Sequence, residues 1–481
     1  MRYARTETTG SFRALIDDSR RTCYTRARWD VNEFRQNKGL AGESVCARAP
    51  LRLVAAVALA CQLGFAPSLA SAESLAELIP ELLQTHNLVK AAEADLVAAG
   101  ERSSAALGGW YPNLNVRSSA GHQEMNKPGE GKDSTMAARQ TDLTVTQLLW
   151  DFGKVDSTVR SSELGREAAR YGLTAAVQDL LLRSATAYIN VVRSNEVVQF
   201  SLQSEENIKK QAEIENTLVQ RGAGLSSDVL QAKQQLSGAQ ARRIDNEGKL
   251  MQARNAYRAV FQRDVINMQS MPKPAVPMSD LPGNVEDTVF VALRENPALK
   301  KASTDAAVTR EAATKARADG FAPTINLVGE KKYKHDVAGT AGNETETAAK
   351  VELNFPFNLG FTAVNTLKAA NETAGAAEKR VGETKDLAEQ NARDAWSRFE
   401  TTRLRLEFLR NQVEIAGEFL DLARKERQLG TRSLTDILRY ETDAFNAQSE
   451  AASAEADFTI AAFAVLASMG RLTPEHVMAV R

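Results

Sequence analysis

Cysteine is almost missing from this chain: three in 481 residues, Cys23, Cys46 and Cys61, all within the first 61 positions. The rest of the chain can form neither a disulfide framework nor a thiolate metal site. Aromatic residues make up only 6%, which argues against a thick aromatic core. Proline is sparse and uneven, with none between Pro128 and Pro272 or between Pro356 and Pro474. Proline interrupts helices, so these two gaps have room for long unbroken ones. The net charge of -1 removes any global pull toward nucleic acid or acidic membrane surfaces. Beyond residue 72 no stretch approaches the roughly 20 apolar residues of a membrane-spanning helix. His86, His122, His335 and His476 are dispersed without ligand spacing. No GxSxG, HExxH, phosphate-loop or paired-acid pattern occurs in a suitable setting. Neither an enzyme, a metal centre nor a bound cofactor is expected.

The first clear feature is a leader. After Arg48 and Arg52 comes the apolar run LVAAVALACQLGFAPSLASA, ending in Ala70-Ser71-Ala72 before Glu73. Small residues at that spacing mark a secretory cleavage site, so residues 1–72 are expected to be removed between Ala72 and Glu73. The Arg-rich stretch 1–47 fits no signal pattern; a miscalled start and an extended n-region both explain it. Cys61 sits in a poor lipoprotein box and reads as part of the apolar run.

The second feature is a duplication. NLVKAAEADLVAAGERSSAALGGWYPNLNV (87–116) matches NPALKKASTDAAVTREAATKARADGFAPTINLVG (296–329) at an offset of 211, pairing Leu88 with Leu299 and Pro112 with Pro323. LVQRGAGLSSDVLQA (218–232) matches ERQLGTRSLTDILRY (426–440), with Gly430 over Gly222, Asp436 over Asp228 and Leu438 over Leu230. Repeats of this strength determine the fold. Two units are expected, 73–270 and 285–472, joined by the Pro-rich linker 271–284 and followed by a tail, 473–481. Each reads as helix, β-hairpin (112–150 and 323–359) and long helical hairpin (154–262 and 361–470). A helix from about 154 to 220 would be about 100 Å long and needs partners along its whole length.

Between the helices the apolar period changes to two. NLNVRSSA, DLTVTQLL, TINLVG and VELNFPF alternate apolar and polar residues, as strands with one face of each kind. The polar segments 121–140 and 332–348 read as the hairpin loops. Four such strands cannot span a bilayer alone, because open edges leave backbone groups unpaired in hydrocarbon. A closed barrel built from two hairpins per chain requires several chains, and three would supply twelve strands.

The order and duplicate spacing of these motifs resemble the TolC-type outer-membrane efflux and secretion channel family. The resemblance covers nearly all of 73–472. It rests on Asn296-Pro297-Ala298-Leu299, the Tyr111-Pro112 and Ala322-Pro323 strand openings, Leu148-Leu149-Trp150-Asp151-Phe152-Gly153 and the two Gly-to-Asp turns. It implies a homotrimer in the outer membrane of a Gram-negative bacterium. A twelve-stranded β-barrel in the lipid would continue into an α-helical coiled-coil tunnel across the periplasm. A periplasmic membrane-fusion adaptor and an inner-membrane transporter, ABC-type or proton-driven, would be the partners. It also implies a closed inner end held by polar ties, falling on Arg432 with Ser227 and Asp228, and an aperture acid at Asp436. The next expected acid is Arg439 and the expected tyrosine is Arg427, so an acidic ring is in doubt.

Plainer roles stand beside these. Asp228 and Asp436 could each cap the helix after its turn, and Arg432 and Arg439 could be solvated charges. Gly222, Gly224 and Gly430 suit a tight helix-to-helix turn; the resemblance adds adaptor contacts at these tips, with Leu225 and Leu434. Trp150, Phe152, Tyr111 and Phe321 fit either an aromatic belt or packing at the barrel-to-helix junction. Type I protein secretion is the expected function, with small-molecule efflux and a barrel-free periplasmic coiled-coil scaffold as alternatives.

Overall fold

The structure, a computed structural model, describes residues 74–126, 134–357 and 359–479. Ala72 and Glu73, the expected cleavage site, lie outside the described residues. Helices α1 (Leu75–Thr85) and α2 (Asn87–Leu107) lead into strands β1 (Asn113–Met125) and β2 (Ser134–Trp150). Two long helices follow, α3 (Lys154–Gln220) and α4 (Ser226–Phe261). The second half repeats the order with α5 (Val285–Glu295), α6 (Pro297–Phe321), β3 (Thr324–His335), β4 (Asn343–Asn354), α7 (Thr362–Gln428) and α8 (Leu434–Met469). A short α9 (Pro474–Met478) closes the described chain.

Both α3 and α7 have 67 residues, about 100 Å of helix each. α4 and α8 have 36 residues each and return along half that length. Beyond their ends α3 packs against α2 and α6, and α7 against α6, so each long helix has a partner over its whole course. The thickest core lies where these halves meet. There Tyr188 and Val191 of α3, Tyr257 of α4 and Phe463 and Leu466 of α8 are fully buried together with Ile79 of α1. The α1 face recurs as Leu75, Leu78, Ile79 and Leu82, the i, i+3, i+4, i+7 stripe of a helix lying on a core. The linker is tied into the same region: the Tyr188 hydroxyl donates to the Pro272 carbonyl at 2.9 Å. Lys273 joins Glu196 of α3 (2.8 Å) to Glu455 of α8 (2.6 Å), and Arg410 of α7 reaches Glu455 at 3.0 Å.

Glu295, at the end of α5, receives Arg471 Nε at 2.6 Å and Nη2 at 2.9 Å, and Arg294 at 2.6 Å. The hydrogen bonds from Arg471 and then Arg294 lower its carboxyl to about 2. A carboxyl depressed in the folded state adds stability above its unfolded value, about 4.3, and loses it as pH falls toward the folded one. Wild type and Arg471→Ala should therefore differ in melting temperature at neutral pH and converge between about 4 and about 2. A difference that persists undiminished in acid would show that Arg471 acts through packing instead.

The four strands form one antiparallel meander in the order β1-β2-β3-β4. Register assigns the faces. Leu114 opposes Val145, Val116 opposes Leu143, Leu327 opposes Val351 and Ile325 opposes Leu353, all on one face. The other face carries Arg117, Asp142, Glu330, Lys332, Lys334, Glu346 and Lys350. Its charges interlock: Lys332 to Glu330 at 2.9 Å, Lys350 to Glu330 at 3.0 Å and Lys334 to Glu346 at 2.7 Å. Along β3 this charged face is the more enclosed, while Leu327, Lys331, Tyr333 and His335 on the other are exposed.

One expectation needs correction here. The segments 121–140 and 332–348 are not mostly loop, because the strands continue into both: β1 to Met125, β2 from Ser134, β3 to His335 and β4 from Asn343. Strands above a hydrocarbon band meet water on both faces and lose their alternation, but their backbone ladder persists. Period-two reading fails there for that reason.

Candidate functional site

The far end of the helical half is built by two matching turns. α3 stops at Gln220 and α7 at Gln428, and each turn is closed by the same pair of backbone bonds. Gly222 N donates to Val219 O and Ala223 N to Leu218 O; Gly430 N donates to Arg427 O and Thr431 N to Glu426 O. This is the Schellman arrangement, which needs a left-handed residue at its centre. Gly222 (φ 74) and Gly430 (φ 79) supply it. Gly224 serves differently: a Cβ there would lie 3.0 Å from Val219 and 3.1 Å from Leu218.

The return helices start differently from the expectation. Neither Asp228 nor Asp436 is the N-cap. Leu225 holds that position before α4 without a side-chain bond, and Ser433 holds it before α8, its hydroxyl accepting from Asp436 N at 3.1 Å. Both aspartates sit in the first turn, where a negative charge meets the positive end of the helix dipole. Among the described residues the Ser227 hydroxyl bonds its neighbour Asp228, at 3.4 Å. Leu225 is exposed at the tip, but Leu434 is 2% exposed and packs with Ile208, Ala212, Ala232 and Leu438. Leu434 is therefore core between the hairpins, not a surface tip contact, because the α8 stripe Leu434-Leu438 faces α3 and α4.

Arg432 does not reach Ser227 or Asp228 within the chain. Its guanidinium binds Glu426 of its own hairpin at 2.8 Å and lies 5.9 Å from the ring centroid of Tyr440. Arg439 pairs loosely with Asp443 one turn on, at 3.7 Å, an exposed contact of small energetic weight.

The ties between the two hairpins are made by other residues. Arg427 Nη2 crosses from α7 to the buried Glu215 of α3 at 2.6 Å, and its Nη1 donates to the Arg432 carbonyl at 3.1 Å. Higher up, the buried Glu441 of α8 takes Arg424 Nε of α7 at 3.1 Å and Asn207 of α3 at 3.3 Å. At the very end Thr435 donates to Gln231 of α4 at 3.0 Å. Glu215 and Glu441 escaped the sequence reading, yet a signal was present. Each occupies an apolar-stripe position: Ile208, Ala212, Glu215 on α3 and Leu434, Leu438, Glu441 on α8. A glutamate at a core position of a helical pair requires a cation nearby.

At the other end, Trp150, Phe152, Tyr111 and Phe321 are all exposed where strands meet helices. Phe355, Phe357 and Phe361 join them, also exposed. Exposed aromatic rings at the ends of strands are placed where the girdle of a membrane barrel lies. The histidines have local roles: His86 accepts from Leu88 N at 3.1 Å, His335 bonds Asn343 and His476 caps α9 through Thr473.

A family model described as outer membrane efflux protein matches residues 78–261 and 290–471, one match per repeat. Among curated relatives, the outer membrane efflux protein BepC of Brucella suis is 26% identical over 345 residues, 70% of this chain and 73% of that one. The outer membrane protein TolC of Escherichia coli is 22% identical over 430 residues, covering 86% of this chain and 85% of its own. Among solved structures, the Campylobacter jejuni CmeC outer membrane channel superposes with a TM-score of 0.73 at 17% identity, over 84% of this chain and 87% of that one. The sheet contributing to a barrel and the helices continuing it as a tunnel are the fold of such channels. With most of each repeat matched and the fold shared, the chain belongs to the outer membrane efflux protein family: a channel protein of the Gram-negative outer membrane, not an enzyme.

Proposed function

We propose that three copies of this chain form the exit duct of a tripartite export system that carries polypeptides in type I secretion. The observation that carries the duct is the sheet, whose apolar face is exposed and whose charges on the central strand β3, Glu330, Lys332 and Lys334, are half-buried on the other face. Such a sheet suits lipid outside and water inside, and three of them make a closed twelve-stranded barrel with no free edge. The units 73–270 and 285–472, joined by 271–284, would be two equivalent staves of the wall. The turns at Gly222, Gly224 and Gly430, with Leu225 exposed beside them, would meet a periplasmic adaptor on an inner-membrane transporter. The gate would lie at the same end, where Asp228, Asp436 and Arg439 line the aperture and Arg432 reaches Ser227 and Asp228 of the neighbouring copy.

The type I assignment rests on the Gln220–Ala232 stretch at the adaptor-facing tip. Small-molecule efflux is the second reading, favoured by the description of BepC as an efflux protein. A deletion strain separates them. Under type I secretion a protein disappears from the culture supernatant while drug tolerance is unchanged. Increased sensitivity to dyes and antibiotics with an intact set of secreted proteins would overturn that assignment and leave the duct.

A further inference from the structure

Three of the lower helices leave a cavity between them. α4 and α8 both pack on α3 and scarcely touch each other. Where they diverge lies a cavity of about 640 Å³. Asn190, Ser194 and Val197 of α3 line it. At about 100° per residue these three stand on the opposite side of α3 from Tyr188, Val192 and Glu196, which face the linker. The cavity is therefore separate from the core at the junction of the two halves.

Two polar groups of its lining have no partner among the described residues. Arg242 Nη2 of α4 and Ser449 Oγ of α8 are both buried without a hydrogen bond. Buried polar groups in folded proteins are nearly all paired, and an unmatched guanidinium N–H is costly. Three neighbouring side chains of the lining are satisfied within the chain. Asn246 donates to Ser201 at 2.8 Å and accepts from Lys249 at 3.4 Å. Arg193 pairs with Asp457 at 3.0 Å, and the Ser453 hydroxyl donates to the Ser449 carbonyl at 2.8 Å. Arg242 instead lies over the ring of Phe445, 5.8 Å from its centroid. Such stacking holds the guanidinium plane in place without using its N–H groups.

The chemistry of the lining says what would fit. Asp245 answers Lys249 at 3.4 Å, as Asp457 answers Arg193. Of the charges left over, Glu450 is exposed, whereas Arg242 keeps its buried N–H. That N–H and the Ser449 hydroxyl are two donors from different helices, suited to the oxygens of one anion. Val197, Ala253, Ala256 and Phe445 give the same cavity an apolar side. A water molecule, at about 30 Å³, fills only a small part of it. An anionic group on an apolar body uses both sides.

We infer that the cavity between α3, α4 and α8 is a binding site for an organic anion, its carboxylate held by Arg242 and Ser449 and its apolar body against Phe445 and Val197. One chain supplies the whole site, so it stands apart from the duct reading proposed above. Arg242 is 20 residues from Gly222 and Ser449 is 19 from Gly430. The ligand would thus join α4 to α8, and the first hairpin to the second, about 30 Å from the turns.

Isothermal titration of 2-naphthoate into the purified protein in detergent, with the heat from detergent alone subtracted, tests the site. Wild type should bind saturably, one molecule per chain. Arg242→Gln should weaken binding at least about tenfold, the worth of a charge-assisted hydrogen bond. Arg242→Lys should recover part of the loss, because it restores the charge without the fork. Ser449→Ala should cost about fivefold, as for a neutral donor. 2-Naphthamide has the rings without the charge, and inorganic phosphate the charge without the rings; each should bind at least about tenfold more weakly than 2-naphthoate. Helical circular dichroism checks that each variant is folded. No saturable binding by wild type overturns the site, as does equal affinity in folded Arg242→Gln or for 2-naphthamide. Phosphate binding as tightly as 2-naphthoate overturns the organic ligand class.

Discussion

Arg427→Ala should raise the single-channel conductance of the intact channel in planar bilayers, and by more than Arg432→Ala does. Arg427 makes a direct charged link between the two hairpins of one chain near their turns, to the buried Glu215 at 2.6 Å. Removing one partner of a buried pair strands the other without compensation, at about 3–5 kcal/mol. Arg427 is itself partly exposed, so about 3 kcal/mol is the fair expectation. A shift of that size moves a closed-to-open equilibrium roughly a hundredfold. Arg432 binds Glu426 on its own hairpin, with both side chains about one-third exposed; that pair, with the Tyr440 ring beside it, restrains its own turn. Its contribution to closure would come only through the neighbouring copy. Replacing Arg427 and Glu215 together by leucine should return conductance toward wild type, because a well-packed apolar pair often substitutes for a buried ionic one. Unchanged conductance of Arg427→Ala, with trimers intact, would remove this tie from the gate.

Tyr188→Ala should destabilise the protein by about 4 kcal/mol, in the range of large aromatic truncations in cores. Tyr188 is fully buried at the junction of α1, α3, α8 and the linker, and its hydroxyl holds the Pro272 carbonyl at 2.9 Å. Two effects can be separated. Tyr188→Phe keeps the ring and loses only the hydrogen bond, about 1 kcal/mol. The alanine variant should lower the temperature at which trimers dissociate far more than the phenylalanine variant. It should also speed proteolysis at Lys273, because the linker loses its anchor. Equal effects of the two variants would mean that the bond to Pro272, not the ring, secures the linker.

The elements were legible because their signals are local. Helix and strand periods repeat within a few residues, and proline gaps mark where helices can run without interruption. The turns were legible too, since Gly222 and Gly430 meet a backbone requirement that no distant contact alters. Strand ends were not, because residues 121–125 and 134–140 lose their alternation while keeping their ladder. Nor was the capping pattern. Asp228 and Asp436 resemble caps by composition, but each helix begins three positions earlier than that reading supposes, so Leu225 and Ser433 hold the N-cap positions.

The sequence by itself determined that this is a duplicated chain of long helices and two-faced strands, without disulfides, and that its strands need further copies to close. Each of those statements follows from period, spacing or absence along one stretch of chain. Only the tertiary structure decided which charges hold the hairpins together. Glu215 and Arg427 are 212 residues apart, and Asn207 and Glu441 are 234 apart. No local pattern names such partners, because the pairing depends on how two separately formed hairpins dock. The resemblance pointed to Arg432 and Asp228. Within the chain, the packing of α3 against α8 instead gave a link between hairpins to Arg427, whose guanidinium reaches the carboxylate of Glu215, buried on α3.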